Sequence, residues 1–170
     1  MKLKSVIILG SSNSYGNTHK VVMALSALTK SKVLDLNDYN ISEFDYNFKN
    51  KNDDFIPLME YITQNFEVMI LSTPVYWYTM SARMKIFLDR FSDCLKIRKD
   101  LGYMLRGKSI AVVSCGSDET LKCGFHMPFK ETAKYLGMDY VGDVHGWIDN
   151  DKITEDVMMK LNLFACEILS

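Results

Sequence analysis

Residues 72–91 read Ser-Thr-Pro-Val-Tyr-Trp-Tyr-Thr-Met-Ser-Ala-Arg-Met-Lys-Ile-Phe-Leu-Asp-Arg-Phe, and this stretch decides the fold. An apolar run at 68–71 precedes it, which indicates a buried strand that ends near Pro74. Apolar residues then recur at helical spacing, at Met84, Phe87, Leu88 and Phe91. The pattern predicts a strand, an aromatic loop and a helix over about 80–92. Three adjacent aromatic side chains cannot all face the core, so at least one is expected at the surface, where it can contact a flat ligand.

Strand and helix patterns alternate outward from this segment to both ends of the chain. Strands are predicted at 5–9, 32–36, 68–72, 109–114 and 138–145, and helices at about 18–29, 55–65, 80–92, 127–136 and 153–169. Uninterrupted apolar runs within three of the strands indicate coverage on both faces. Five strands alternating with five helices predict an α/β fold with a doubly wound five-stranded parallel sheet. Residues 37–54 are expected to form a surface loop, and 93–108 a solvated helical insertion.

Length and composition indicate a single domain over 1–170, with 48% hydrophobic and 24% charged residues. The net charge of −1 gives no reason to expect nucleic acid as a partner. The apolar stretch at 6–9 is too short to span a membrane, so no membrane association and a cytoplasmic location are expected. The four cysteines form no C-x-x-C pair, which favours a reducing compartment and argues against a metal or disulfide framework.

Ligands of open parallel sheets bind beyond the carboxyl ends of the strands, so the loops after strands one, three and four should converge. The first of these loops is Gly10-Ser-Ser-Asn-Ser-Tyr-Gly-Asn-Thr18. Its hydroxyls, its amides and the N–H groups at the helix start predict a phosphate site built from neutral donors. The alternative is a polar capping loop that binds nothing.

Other phosphate motifs do not fit the first loop. It lacks G-x-x-x-x-G-K, and the spacing of Gly10 and Gly16 is not that of G-x-G-x-x-G. A phosphoacceptor receiver would need acidic residues where Ser11-Ser12 stand and an aspartate where Thr73-Pro74 stand. A phosphate loop, an aromatic loop and the small Cys115-Gly116 turn together suit a ligand with a phosphate tail and a flat ring. Flavin mononucleotide (FMN) meets that description.

The first loop resembles the G-S-x-x-x-x-G-N-T phosphate loop of the flavodoxin-fold NAD(P)H-dependent FMN reductases, also called multimeric flavodoxins. Further matches are Thr73-Pro-Val-Tyr-Trp-Tyr-x-Met-Ser-Ala82 with Lys85-Ile-Phe-Leu-Asp-Arg90, and Arg106-Gly-Lys108 with Ser114-Cys-Gly116. The resemblance implies a flavodoxin-like strand order of 2-1-3-4-5 and noncovalent FMN. It also implies NAD(P)H as co-substrate, hydride transfer to a small acceptor such as a quinone or flavin, and a homodimer or homotetramer.

The same resemblance assigns the FMN contacts to the three loops. Its phosphate contacts are Ser11, Asn13, Ser14, Gly16, Asn17 and Thr18. Its ring contacts are Thr73, Pro74, Val75, Tyr76 and Trp77, with Cys115 and Gly116 at the other edge. Backbone N–H groups near Tyr76 and Cys115 are expected to tune the ring, and no side chain is expected to be a catalytic acid or base.

Two departures from the family pattern matter. Some relatives bind an iron–sulfur cluster through cysteines after the second strand, but residues 37–56 contain no cysteine, so no metal is expected. Asn13 stands where many relatives have an arginine, which implies weaker phosphate binding or other donors.

Two other functions stay open at this stage. One is a flavodoxin-type electron carrier that binds FMN without turnover, against which the near-neutral charge weighs. The other is a scaffold that has lost the flavin. The roles of two side chains also stay open. Cys115 is either a reactive thiol or a small residue that lets the flavin ring approach the backbone. His145 is either a proton donor to a quinone or a packed histidine. Asp89 and Arg90 are expected to form ion pairs.

Overall fold

The computed structural model describes residues 3–169. Its strands are β1 (Ser5–Leu9), β2 (Lys32–Asp35), β3 (Val68–Pro74), β4 (Ser109–Gly116), β5 (Asp139–Asp149) and β6 (Lys152–Ile153). Its helices are α1 (Asn17–Thr29), α2 (Phe55–Asn65), α3 (Ala82–Asp89), α4 (Phe91–Lys96), α5 (Lys99–Leu105), α6 (Met127–Leu136) and α7 (Glu155–Leu169). Within this part of the chain no helix has the length and apolar character needed to cross a bilayer.

The sheet has the order β2-β1-β3-β4-β5-β6, and β1 to β5 pair in parallel, which confirms the α/β class and the predicted order of the first five strands. The prediction of a purely parallel five-stranded sheet is wrong. Strand β5 continues to Asp149, and β6 returns antiparallel to it with Ile148 opposite Ile153. Asn150 and Asp151 make this hairpin possible because both adopt positive φ, at 46° and 64°, and Asn and Asp tolerate that conformation well.

Two hydrophobic layers enclose the central strands. Successive side chains of a strand point to opposite faces, so Val6 and Ile8 enter one layer and Ile7 and Leu9 the other. The layer of Ile7 lies under α1 and α7, whereas α2 to α6 cover the opposite face. Because both faces are covered, the carboxyl ends of the strands are the edge at which loops can form a site.

The helix predicted over 80–92 is wrong in its extent, because it divides at Arg90 into α3 and α4. The segment 93–108 is helical as expected, but the description of it as solvated is wrong. Cys94, Leu101 and Leu105 are buried in the hydrophobic layer that contains α2. The two leucines, spaced i, i+4, face this layer from the same side of α5. The ion pairs expected for Asp89 and Arg90 are confirmed: Lys85 Nζ lies 2.5 Å from Asp89, and Arg90 Nη1 lies 2.5 Å from Asp53.

Candidate functional site

The first loop is held in shape by its own hydrogen bonds and by the side-chain amide of one residue in the turn after β2. Ser11 is buried, and its Oγ accepts from the Asn13 N–H at 3.1 Å. Asn37, in the short 3₁₀ turn after β2, donates Nδ2–H to the Ser11 carbonyl at 2.6 Å and to Ser14 Oγ at 3.0 Å. Asn37 was not among the predicted site residues, although its place at the carboxyl end of β2 was a signal.

The first turn of α1 presents free backbone N–H groups. Gly16 is the N-cap residue and provides no side-chain cap, so the N–H groups of residues 17–19 have no hydrogen-bond acceptor among residues 3–169. Asn13 and Asn17 are exposed beside this turn. Lys20, the nearest cation in sequence, is paired with Asp151. An anion bound here would therefore be held by N–H groups, amides and the helix dipole.

The segment after β3 forms a tight turn that carries the aromatic residues outward. Tyr76 and Thr79 exchange two backbone hydrogen bonds, of 2.9 and 3.1 Å. Trp77 and Tyr78 between them adopt φ values of 47° and 66°, a strained conformation for bulky side chains. Tyr76, Trp77 and Tyr78 are 46%, 91% and 65% exposed, which confirms the prediction that at least one aromatic lies at the surface.

This turn determines which backbone N–H groups of the aromatic loop are free. The Tyr76 N–H donates to the Thr79 carbonyl, so it is not free to contact a ligand. The N–H groups of Trp77 and Tyr78 have no acceptor within the described part of the chain. The free donors of the aromatic turn are therefore the N–H groups of Trp77 and Tyr78, next to Tyr76.

Ser81 connects the loop after β1 to the aromatic loop after β3. As N-cap of α3 its Oγ accepts from the Met84 N–H at 3.1 Å and donates to the Gly10 carbonyl. The Ser81 N–H donates to Thr73 Oγ1 at 2.9 Å, and that hydroxyl donates to the Pro74 carbonyl at 3.0 Å. The Thr73 side chain is therefore inside the protein, where it holds the turn. A serine just before a helical apolar pattern was the signal for this missed residue.

Gly10 is required where the first loop meets α3. A Cβ at this position would lie 2.8 Å from Met84 Cε and 2.9 Å from Met84 Cβ, closer than carbon atoms approach. The absence of a side chain lets the start of the first loop pack directly on α3. The loop after β1 therefore packs against the helix that follows the aromatic loop.

A cavity of about 370 Å³ lies between the aromatic turn and the loop after β4. Its lining residues are Val75, Trp77, Tyr78, Gly116, Ser117, Asp118, Thr120, Lys122 and His145. Of the predicted ring contacts, the structure brings Val75, Trp77 and Gly116 together here, whereas Pro74, Tyr76 and Cys115 do not line the cavity. The polar side chains of 117–122 were missed, and their position directly after β4 was the only signal for them.

Cys115 is buried at the end of β4, between the cavity and the first loop. Burial raises the pKa of its thiol to about 11, and a hydrogen bond with the Thr18 side chain opposes that rise. Thr18 therefore links the first turn of α1 to the end of β4. Among residues 3–169 no cation is placed to activate the thiol, so a packing role fits better than nucleophilic chemistry.

Thiol labelling of the native protein tests this assignment. Cys123 and Cys166 are exposed, whereas burial raises the pKa of Cys94 to about 12 and that of Cys115 to about 11. At pH 8 we expect two thiols to react rapidly with iodoacetamide and two to react at least about 100-fold more slowly, because the thiolate is the reactive species. Mass spectrometry of peptides identifies them. Equal labelling rates at Cys115 and Cys123 would contradict the account.

Comparisons with known proteins agree with this geometry. The family model described as NADPH-dependent FMN reductase matches residues 3–152. YwqN of Bacillus subtilis strain 168, provisionally named an NAD(P)H-dependent FMN-containing oxidoreductase, is 28% identical over 156 residues, which cover 85% of this chain and 84% of YwqN.

Two solved structures share the fold. The Trp repressor binding protein from Bacillus subtilis has a TM-score of 0.75 at 23% identity, with 98% of each chain covered. An FMN-dependent NADH-azoreductase from Bacillus anthracis, solved with FMN, has a TM-score of 0.69 at 10% identity, covering 98% of this chain and 100% of the azoreductase. The predicted flavodoxin-like fold and family resemblance are confirmed. The chain belongs to the NADPH-dependent FMN reductase family and is an oxidoreductase with FMN as cofactor and NAD(P)H as electron donor.

Proposed function

We propose that FMN binds across the three loops, with its phosphate at the first turn of α1 and its ring in the cavity beside the aromatic turn. The observation that carries this proposal is the pairing of an uncapped helix N-terminus with that cavity. The Ser81–Gly10 and Thr18–Cys115 hydrogen bonds join the loops concerned. The loop 10–18 contains no arginine or lysine, so the phosphate would be bound by neutral donors and by the dipole of α1.

The site residues divide by role in this proposal. The exposed side chains of Asn13 and Asn17 and the N–H groups after Gly16 meet the phosphate, and Ser11, Ser14 and Thr18 support the loop. Val75, Trp77 and Gly116 face the ring, whereas Thr73, Pro74, Tyr76 and Cys115 form the framework behind it. No side chain is assigned as a catalytic acid or base, and no metal is involved.

Bound FMN supplies the hydride chemistry between the nicotinamide and the acceptor. The protein binds and orients the reactants and limits the access of water. Trp77 and Tyr78 present free N–H groups on the turn that borders the cavity, and Lys122 places a positive charge in its lining. These groups suit an electron-rich ring edge and an anionic co-substrate, respectively.

We propose a small electron acceptor, such as a quinone or free flavin, that enters the cavity after the nicotinamide departs. The test is oxidation of NADH and NADPH, followed at 340 nm, with a quinone, a flavin and an azo dye, on protein whose FMN content has been measured. FMN-dependent turnover with at least one acceptor supports the proposal. Bound FMN without turnover would indicate an electron carrier, and protein that stays colourless with FMN would indicate a scaffold.

A homodimer or homotetramer of this single domain, located in the cytoplasm, is also part of the proposal. A groove of about 710 Å³ between α3–α4 and α6 is lined by apolar residues, among them Leu95 and Leu136, and by polar ones such as Glu131 and Lys134. Tyr135 at its edge is 80% exposed, which suits coverage by a second copy of the chain. Light scattering should show an oligomer that Tyr135→Glu weakens. A monomeric wild-type protein at micromolar concentration would contradict it.

Relief of the strain in the aromatic turn is expected to raise the stability of the apoprotein and to lower its affinity for FMN. The double variant Trp77→Asn, Tyr78→Gly places residues suited to positive φ at both positions. We expect the free energy of unfolding of the apoprotein to rise by about 1–2 kcal/mol, because strained backbone positions cost about that much. We expect FMN to bind at least about tenfold more weakly, because a flat ring loses its aromatic contacts.

Urea denaturation of the apoproteins and titration of FMN fluorescence measure the two effects. Trp77→Phe is the matched control, since it keeps an aromatic ring in the same backbone conformation and should bind FMN within about threefold of the wild type. A less stable double variant with unchanged FMN affinity would contradict the role assigned to the turn.

A further inference from the structure

His145 lies within β5, opposite Ser114 of β4, with both ring nitrogens engaged. Its Nε2 is 3.0 Å from the Asp118 carbonyl oxygen, and its Nδ1 is 2.8 Å from Ser114 Oγ. A carbonyl oxygen can only accept, so Nε2 carries the hydrogen and Nδ1 accepts from the serine hydroxyl. The two partners therefore fix both the tautomer and the orientation of the ring.

The Asp118 carbonyl belongs to the loop after β4, which forms one wall of the cavity. Within residues 117–123 the other hydrogen bonds of the described chain are local, such as the 2.8 Å bond from the Thr120 N–H to Asp118 Oδ1. Among the hydrogen bonds of residues 3–169, the one from His145 joins this stretch to the sheet, and Leu121 adds an apolar contact with the core. Gly116 permits it, because a Cβ there would lie only 3.0 Å from His145 Cε1.

We infer that His145 is a positioning residue for the cofactor: its Nε2–H holds the Asp118 carbonyl, so that the loop after β4 forms the cavity wall opposite the aromatic turn. The inference rests on the proposed binding of FMN in that cavity. It also gives His145 a different role from proton donation to a quinone, because neither ring nitrogen is free to meet an acceptor.

The surroundings of His145 favour its neutral form. A second proton would sit on Nδ1 and would turn the buried Ser114 hydroxyl from hydrogen-bond donor to acceptor. Burial lowers the pKa of His145 below its ordinary value of 6.5, the Asp118 backbone and side chain oppose that shift, and Lys160 of α7 adds to it. His126 and Lys122 are the other basic groups near the ring. The Nε2–H that holds the Asp118 carbonyl is present in both forms of the ring, so the positioning contact does not depend on the titration of His145.

Two amide variants of the full-length protein separate the two ring nitrogens. Glutamine places its amide N–H₂ near the position of Nε2, whereas asparagine reaches only that of Nδ1. We expect His145→Gln to bind FMN within about threefold of the wild type and His145→Asn to bind about tenfold more weakly, the equivalent of one lost hydrogen bond. Similar thermal stability of the two apoproteins would separate this effect from misfolding.

The pH dependence of the FMN dissociation constant provides a second test. Titration of the FMN phosphate is common to all variants and cancels in the comparison of wild type with His145→Gln. A positioning role needs only Nε2–H, which both forms of the ring carry, so we expect the wild type and the glutamine variant to change affinity in parallel as the pH falls. A role that depends on the proton of His145 would instead separate the two profiles as the ring titrates.

Two results would overturn the inference. One is equal FMN affinity of the glutamine and asparagine variants, and the other is a loss of affinity on acidification that the wild type shows and His145→Gln lacks. A wild-type protein that binds no FMN would instead refute the proposed function, so the two failures are distinguishable.

Discussion

Replacement of Arg90 by alanine is expected to lower the free energy of unfolding by about 3–5 kcal/mol, since it would leave buried carboxylates without their partner. The Arg90 side chain is fully buried between α3 and α4. It donates to Asp53 at 2.5 and 3.0 Å and to Asp93 Oδ2 at 2.9 Å, and to the Ser42 carbonyl at 3.0 Å. Its guanidinium also lies 4.8 Å from the centre of the Phe55 ring.

The Arg90 network attaches the loop 37–54 to the helical layer, so its loss should also loosen that loop. Urea denaturation of the apoprotein measures the stability, and hydrogen exchange of residues 40–54 measures the loosening. Arg90→Met combined with Asp53→Asn and Asp93→Asn is the control. It removes the charges together and should recover at least half of the loss, because neutral partners tolerate burial better. A loss below about 1 kcal/mol for Arg90→Ala would contradict the account.

Replacement of Gly16 by aspartate is expected to weaken FMN binding by about 100-fold while the apoprotein becomes about 1 kcal/mol more stable. Gly16 has φ −79° and ψ −169°, an extended conformation open to any residue. An aspartate there would cap the free N–H groups of α1 with its own carboxylate. That carboxylate would then occupy the proposed phosphate position and repel a second anion.

Two further variants at the same position separate the charge from the side chain. A Cβ at residue 16 meets Asn13 Nδ2 at 3.2 Å, so Gly16→Ala reports on that contact alone. Gly16→Asn caps the helix without a charge and should fall between alanine and aspartate in FMN affinity. Calorimetric titration with FMN measures the affinity, and thermal melting of the apoprotein measures the stability. Equal affinities for the alanine and aspartate variants would show that the phosphate lies elsewhere.

The positions of β1, β3 and β4 could be predicted because these strands are covered on both faces and appear as unbroken apolar runs, whereas the order of the strands was implied by the family resemblance. The β5–β6 hairpin was missed because its residues 146–153 are partly exposed and carry no apolar alternation. The break at Arg90 could not be predicted either. A helical pattern places an arginine at the surface, and its burial depends on Asp53, which is distant in sequence.

The three loops of the site could be predicted because the carboxyl ends of parallel strands meet at one edge. The residues that line the cavity could not, since the path of 117–126 depends on the bond between His145 and Asp118 and on no periodic signal. Thr73 and Ser81 show the same limit. Sequence marks them as polar residues near the site, but only the structure shows that their hydroxyls hold the turn from inside.

A crystal structure of the protein grown with saturating FMN tests the central claim most directly. The account predicts the phosphate within hydrogen-bonding distance of the N–H groups of residues 17–19, and the ring between Trp77 and Gly116. FMN bound in the groove between α3–α4 and α6, with the first turn of α1 still open, would contradict it.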